Sequence, residues 1–325
     1  MSTGFLQSLS AAYPQSYIDV IIKESLQEMI PLLPGINDHL IFSKKDFKGI
    51  KGAIAFGRKC AAIKKYDLFF SLPDSFSSAL SGYFTKSAKR IGYAAEMRSL
   101  LLTSAYKKPR GLHRAEEYIH LLNRFKSVSD IDCKVRLNVP KVHDNKTIAS
   151  LNLPHGLKIV INIHSAAQSR RIPLSKSVSL CKMLIDTFNC SLLFTGTESE
   201  KGFTHSVISK INSPDHCIDL SGKLDLVSLA QICSLSDTVL SSDSGIAHLA
   251  NAVGTHVIVL FGAGNEKNTA PYNSDMCTVI RAEKISCAPC VSNTCRYGHI
   301  NCMNQIDENK VIEIVKNLLV KKHEK

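Results

Sequence analysis

The sequence predicts an α/β fold of two Rossmann-like domains with parallel sheets, facing a cleft. Three observations predict it. The chain has 325 residues, beyond the usual size of one domain. Short apolar strands alternate with segments of helical period. A polar stretch at 126–152, containing Pro140 and ending near Pro154, precedes a fresh strand. The boundary is set there, giving domains 1–152 and 153–325.

In chain order, residues 5–13 read as a helix with Phe5, Leu6, Leu9 and Ala12 on one face. Residues 17–22 form an apolar strand. Pro31, Pro34 and Gly35 mark a loop. A short strand at 41–42 leads into a basic helix at 47–63, then a strand at 68–72 closed by Pro73. The second half repeats the pattern: strand 158–163, helix 174–188, strand 191–195, helix 226–233, strand 238–241, helix 245–253 and strand 257–261. An amphipathic helix at 308–320 closes the chain, with Asp307 as its N-cap.

Hydrophobic residues make up 44%, enough for a core in each half, and charged residues 21%, which excludes a largely disordered chain. Net charge is +12, with Lys and Arg crowded into 44–65 and 86–114. A basic surface suits phosphates, nucleic acid or an anionic membrane face, or serves solubility alone. No Arg-rich helix, C2H2 spacing or aromatic RNA-binding signature supports nucleic acid. Residues 1–14 lack the pattern of a signal peptide, and no apolar run reaches membrane-spanning length. A cytoplasmic location is expected, with most of the eleven cysteines reduced.

The strongest motif is SSDSGIAHLANAVGTHVIVLFG at 241–262. Asp243 ends a strand and is read as the N-cap of the next helix. Ser244 and Gly245 then offer N–H groups at a helix N-terminus, an anion site suited to a pyrophosphate. Gly245 lets a phosphate approach the backbone, and His248, one turn on, faces the same ligand. The same pattern also describes an ordinary capped helix with Gly254 as its C-cap. Residues 162–173, NIHSAAQSRRIP, place Ser165, Ser169 and Arg170 after a strand, hydroxyls and a cation suited to phosphate oxygens, or a basic surface turn. In LFTGTESE at 193–200, Gly196 ends a strand, and Glu198 and Glu200 follow as the start of a helix. The Gly262–Ala263–Gly264 run fails as a dinucleotide fingerprint because Lys267 occupies the third glycine position.

These segments resemble the ADP-heptose glycosyltransferases of lipopolysaccharide core synthesis, glycosyltransferase family 9, over about residues 5–319. The stretch from Asp243 to Gly262 is similar to that family's donor signature, D-[ST]-G-x-x-H-L-A-x-A-x-G-x-x-V-x-x-L-F-G. Residues 72–80, LPDSFSSAL, and 90–98, RIGYAAEMR, resemble the family's second core heptosyltransferases, with Asp74 in place of the usual Asn. The resemblance implies a GT-B fold and an inverting transfer of heptose from ADP-L-glycero-D-manno-heptose to the lipopolysaccharide inner core. It assigns the diphosphate to Asp243, Ser244, Gly245 and His248. It assigns the strand-end loop to Ser165, Ser169 and Arg170, where Arg170 replaces the usual Lys and Ile172 the usual aromatic. By the same resemblance Gly196 and Glu200 lie near the ribose, with Glu198 as a rival, and Leu224 contacts the adenine. Ser75, Arg90 and Arg98 fall on the acceptor side, facing an anionic lipid-linked saccharide of the lipid A–Kdo type. No nucleic acid and no obligatory cofactor is implied, and location is the cytoplasm, with peripheral contact at the inner membrane.

Two features stand apart. The family's proposed catalytic base, an Asp in a Gly–Asp loop after a first strand, aligns upstream of Met1, so no catalytic residue is assigned. A misassigned start, a decayed and inactive remnant, or a substitute carboxylate such as Asp74 would each account for this, and transfer of another nucleotide sugar is the rival within the enzyme class. Cys287, Cys290, Cys295 and Cys302 are spaced C-x2-C-x4-C-x6-C around His299, which suits zinc or an iron–sulfur group, buried thiols or a disulfide. Similar segments recur in the family, where a metal is not a hallmark, and the expectation is no metal.

Overall fold

A computed structural model describes residues 1–127, 134–141 and 145–323. The chain divides into two compact units, Met1–Lys134 and Val135–Lys325. Residues 135–141 and 145–151, grouped by sequence pattern with the first domain, fall in the second unit. The Leu137 N–H donates to the Ala252 carbonyl (3.0 Å), and Asn273 brackets Val135, accepting from its N–H (2.9 Å) and donating to its carbonyl (2.8 Å). These partners lie far along the chain, so a local pattern could not reveal them.

The first unit opens with helix Thr3–Ala12. Strands β1 (Asp19–Lys23) and β2 (Asp38–Phe42) form one parallel pair. Strands β3 (Leu68–Ser71), β4 (Lys89–Tyr93) and β5 (Ser104–Tyr106) form a second parallel sheet in that order. Phe5, Leu6, Ile18 and Leu122 are buried together, with Val20 and Phe70 packed against them, so one apolar cluster joins both sheets to the opening helix. Between β1 and β2 the expected loop is largely a 3-10 helix, Glu24–Leu32, with Leu32 buried. Pro31 sits near its end, where its fixed φ fits the turn and its missing N–H costs little. Helices Gly49–Ile63 and Phe76–Phe84 pack together, and the 3-10 helix Glu96–Leu101 lies against the second.

The second unit is built on a six-stranded parallel sheet: β6 (Lys158–Asn162), β7 (Ser191–Phe194), β8 (Cys217–Asp219), β9 (Thr238–Ser242), β10 (Val257–Phe261) and β11 (Cys277–Arg281). The spatial order is β11-β10-β9-β6-β7-β8. Every residue of β9 and β10 is buried, as expected for central strands covered on both faces. Helix Leu174–Phe188 contributes Leu180 and Leu184 to the core, and the closing helix Glu308–His323 contributes Val311 and Val315. The order runs outward from β6 through β7 to β8 on one side and from β9 through β10 to β11 on the other. β6 and β9 are therefore the switch point, where such sheets bind ligands beyond the strand ends.

Candidate functional site

The loops leaving β6 and β9 lie side by side because those strands are paired, Asn162 opposite Ser241. Asn162 is the buried polar end of β6, after the apolar run Ile159, Val160 and Ile161. Its side-chain amide donates to the Ser244 hydroxyl (2.7 Å), the Ser241 hydroxyl (3.0 Å) and the His164 carbonyl (3.1 Å). The Ser165 hydroxyl donates to the Asp243 carbonyl at 3.0 Å. These bonds fix the two loops to each other and leave their geometry little freedom.

Helix Gly245–Ala252 starts in this frame. Its N-cap position is Ser244, not Asp243, and no side chain caps it. The Ser244 hydroxyl is held by Asn162, and the Asp243 carboxylate faces Arg170 at 3.2 Å instead of bonding the helix amides. The first-turn N–H groups are therefore uncapped by side chains, beside a guanidinium. Gly245 is exposed, and a Cβ built on it would meet nothing within 4 Å. Open space lies where an anion would approach.

Asp243 is 5% exposed. Burial pushes its carboxyl above the usual Asp range, opposed by the Arg170 and Arg281 guanidiniums. The Arg170 pair is an ion contact without an aligned hydrogen bond. Asp243 Oδ2 and Arg170 Nε are both buried without a hydrogen-bond partner. Two such atoms beside an uncapped helix start are unusual in a settled interior and fit a place for a polar ligand. Gly264 is part of the same construction, because a Cβ there would lie 2.2 Å from Asp243 Oδ2. Arg281 braces the glycine run from behind, donating to the Gly262 and Gly264 carbonyls at 2.9 Å each. Gly264→Ala should push Asp243 off Arg170 and cost about 1–3 kcal/mol, a drop of roughly 5 °C in the unfolding midpoint by differential scanning calorimetry. An unchanged midpoint would show that the carboxylate is not held there.

The remaining donor-side candidates are placed as follows. Ser169 is buried and its hydroxyl donates to the Ser292 carbonyl. His248 is partly buried, one turn after Gly245. Leu224 is half-buried just before helix Leu226–Ser234. Gly196 lies beyond the end of β7, with a Cβ position 3.0 Å from the His164 ring. Glu200 folds back on Thr197, accepting from its N–H (2.8 Å) and hydroxyl (2.9 Å) in a capping box. Glu198 is exposed and faces Lys201 at 3.5 Å.

His164 was not singled out in the sequence. It is buried, with Nε2 2.8 Å from the Thr204 hydroxyl. Desolvation lowers its pKa, with Arg171 acting the same way and Glu200 and Asp219 opposing. Between the folded value and the unfolded value near 6.5, the unfolded chain binds a proton that the folded chain refuses. Stability should therefore be full above about pH 6.5 and fall as pH drops through that window. His164→Gln should flatten the dependence of the thermal midpoint between about pH 7.5 and about pH 5.5, whereas an unaltered slope would assign it to other groups.

In the first unit, Asp74 sits in a charged cluster. Its carboxylate contacts Lys108 (2.6 Å), Arg114 (3.8 Å) and Arg98 (3.9 Å). Lys108 and Arg114 also meet Glu117, at 3.1 and 3.2 Å. Arg98 is fully buried and donates to the Pro73 carbonyl (2.7 Å) and the Ser71 hydroxyl (2.8 Å), shaping the strand-end turn. Burial lowers its pKa, while Asp74 opposes. Arg90 donates to the Leu101 (2.9 Å) and Ser87 (2.8 Å) carbonyls. Ser75 caps helix Phe76–Phe84, accepting from the Ser78 N–H at 3.3 Å.

Cys287, Cys290, Cys295 and Cys302 line one small pocket with His299, Ser169 and Ala263, and all four are free thiols. Among the described residues, no group of three or more His, Cys, Asp or Glu side chains is arranged to hold a metal ion. Backbone N–H groups, that of Ile300 foremost, lower the Cys295 pKa, and burial raises that of Cys302.

The model of glycosyltransferase family 9 (heptosyltransferase) matches residues 56–301. The chain belongs to this family. Among its relatives, lipopolysaccharide heptosyltransferase 2 of Escherichia coli K12 is 24% identical over 288 residues, 83% of this chain and 81% of that protein. Lipooligosaccharide heptosyltransferase 2 of Haemophilus influenzae is 25% identical over 300 residues, 86% and 84% of the two chains. Two solved structures share the fold: ADP-heptose LPS heptosyltransferase II of E. coli (TM-score 0.80, 21% identity, 99% of this chain and 95% of that one) and a family 9 glycosyltransferase of Veillonella parvula (TM-score 0.85, 20% identity, 98% and 93%). E. coli heptosyltransferase WaaC, solved with ADP, is also similar (TM-score 0.72, 17% identity, 97% and 95%). The fold is thus GT-B, and the chain is a glycosyltransferase by family. Sequence reasoning missed five polar residues of this family 9 chain: Asn162, His164, Arg281, Lys108 and Arg114. Asn162 carried a signal, since a polar residue closing the run KIVI has to be satisfied inside the sheet.

Proposed function

We propose that the protein transfers heptose from ADP-L-glycero-D-manno-heptose to the lipopolysaccharide inner core, as a heptosyltransferase II. The observation that carries this reading is the uncapped start of helix Gly245–Ala252 beside Arg170, at the switch point of the second sheet. The names of the family 9 relatives support the choice of sugar and acceptor.

In this reading the donor diphosphate lies against the amides of Gly245 and Ile246, with Arg170 on its flank and His248 one turn on. An acceptor hydroxyl attacks the anomeric carbon as ADP leaves, with inversion. Negative charge grows on the leaving diphosphate, and fixed amides and a fixed guanidinium stabilise it more as it grows. Asp243 holds Arg170 in place and does not itself touch the reacting atoms. Ser165 and Asn162 fix the loop, while Leu224 and the 196–200 turn serve the nucleoside end. Glu200 would reach a ribose only by leaving Thr197.

On the acceptor side, Lys108 and Arg114 are the cations with exposed surface in the Asp74 cluster, suited to phosphate or acid-sugar groups. Buried Arg98 supports that surface from beneath. The Asp74 carboxylate is taken up by contacts to Lys108, Arg114 and Arg98, and no base is assigned in this chain. In this reading the acceptor is lipid-linked, and the protein meets the inner membrane peripherally, at its cytoplasmic face.

The test is a transfer assay with ADP-heptose, ADP-glucose and a UDP-sugar, each with a Kdo-containing acceptor, read by mass spectrometry. The proposal expects a heptosylated product from ADP-heptose alone. Equal or better transfer from another donor would replace the sugar assignment. Binding of ADP by calorimetry without transfer from any donor would favour the inactive remnant.

A further inference from the structure

We propose that the helical face of the first unit formed by Gly49–Ile63, Phe76–Phe84 and Glu96–Leu101 docks on an anionic phospholipid surface. This deepens the reading above by naming the surface that meets the membrane, and it rests on that reading for the membrane itself.

Charge makes the first part of the case. Residues 44–98 carry twelve Lys and Arg against four Asp and Glu, so +8 of the net +12 falls on 55 residues. Of these cations only Arg98 is buried. Arg58 lies over the Phe84 ring at 5.3 Å, binding the first helix of this face to the second. Arg90 lies over the Tyr83 ring at 5.3 Å and donates to the Ser87 and Leu101 carbonyls, which gathers Tyr83, the Lys86 turn and the end of the 3-10 helix into one patch.

Exposed apolar groups make the second part. In a 3-10 helix, side chains at i and i+3 share a face. Met97 and Leu100 stand in that relation and are 71% and 80% exposed, while Arg98 between them is fully buried. Tyr83, an aromatic with a polar tip, is also largely exposed on the neighbouring helix. Large apolar side chains standing in water beside a patch that holds Arg90 gain by entering a headgroup layer, where cations meet lipid phosphates. Nucleic acid would satisfy the charge but leave Met97 and Leu100 in water, so the apolar pair favours lipid.

The experiment is cosedimentation of the full chain with vesicles of phosphatidylglycerol and phosphatidylcholine, against vesicles of phosphatidylcholine alone. Binding is expected to the anionic vesicles and to weaken steeply with salt. Lys86→Glu with Lys89→Glu, and separately Met97→Ser with Leu100→Ser, should each lower partitioning about tenfold or more. ADP binding by calorimetry should be unchanged in both, which shows that each variant is folded. Vesicle binding needs neither donor nor acceptor, so its failure is separable from failure of the transferase reading, which the transfer assay decides. Equal partitioning of the Met97/Leu100 variant, or wild-type binding to duplex DNA tighter than to the vesicles, would overturn the proposal.

Discussion

Replacing Gly245 with leucine should weaken ADP binding by about 100-fold or more and leave the unfolding midpoint within a degree or two of its original value. The two halves of this expectation come from the same geometry. A Cβ at Gly245 meets no atom within 4 Å, so the fold has room for a side chain. Leucine is also the better helix former by about 0.8 kcal/mol, which offsets any small cost. The side chain would occupy the open space beside the first-turn amides, and a diphosphate could no longer reach them. An ordinary helix start between two strands would keep its midpoint as well but show no change in ADP affinity. Calorimetric titration with ADP, paired with a thermal melt, reads both quantities, and unaltered ADP affinity would remove the helix start from the donor site.

Arg170→Met should act on catalysis and stability together. Loss of a fixed cation from a leaving diphosphate lowers kcat by about 100- to 1000-fold in comparable sites. The variant also leaves Asp243 buried beside Arg281 alone, at a cost on the order of 3 kcal/mol. Adding Asp243→Asn removes the uncompensated charge and should restore most of the stability without restoring kcat. If the double variant recovered turnover, Arg170 would be a scaffold for Asp243 and not a contact to the donor.

Legibility in the sequence followed how local the cause was. Helix Leu174–Phe188 and strand Val257–Phe261 were readable to the residue, because a helical stripe and a run of five apolar residues each announce themselves within a short window. The donor loop was legible as a motif, but the partner of its acid was not. Asp243 reads as an N-cap from its neighbours alone, and only the pairing of β6 with β9 brings Arg170 close enough to claim the carboxylate. Arg90 and Arg98 read as acceptor-side cations. Their commitment to the Leu101, Ser87 and Pro73 carbonyls depends on how strand ends and turns meet in three dimensions. Glu200 was legible only as an acid near a helix start, and its capping bond with Thr197 competes directly with the ribose role. The bonds that tie Val135 and Leu137 to Asn273 and Ala252 were not legible, because those partners are more than a hundred residues away.

The central claim is that a diphosphate rests against the amides opening helix Gly245–Ala252, and a crystal structure of the chain with ADP tests it most directly. The account predicts diphosphate oxygens about 3 Å from the Gly245 and Ile246 nitrogens, with the Arg170 guanidinium in contact. An ADP whose phosphates lie on any other loop, with those amides facing solvent, would contradict it.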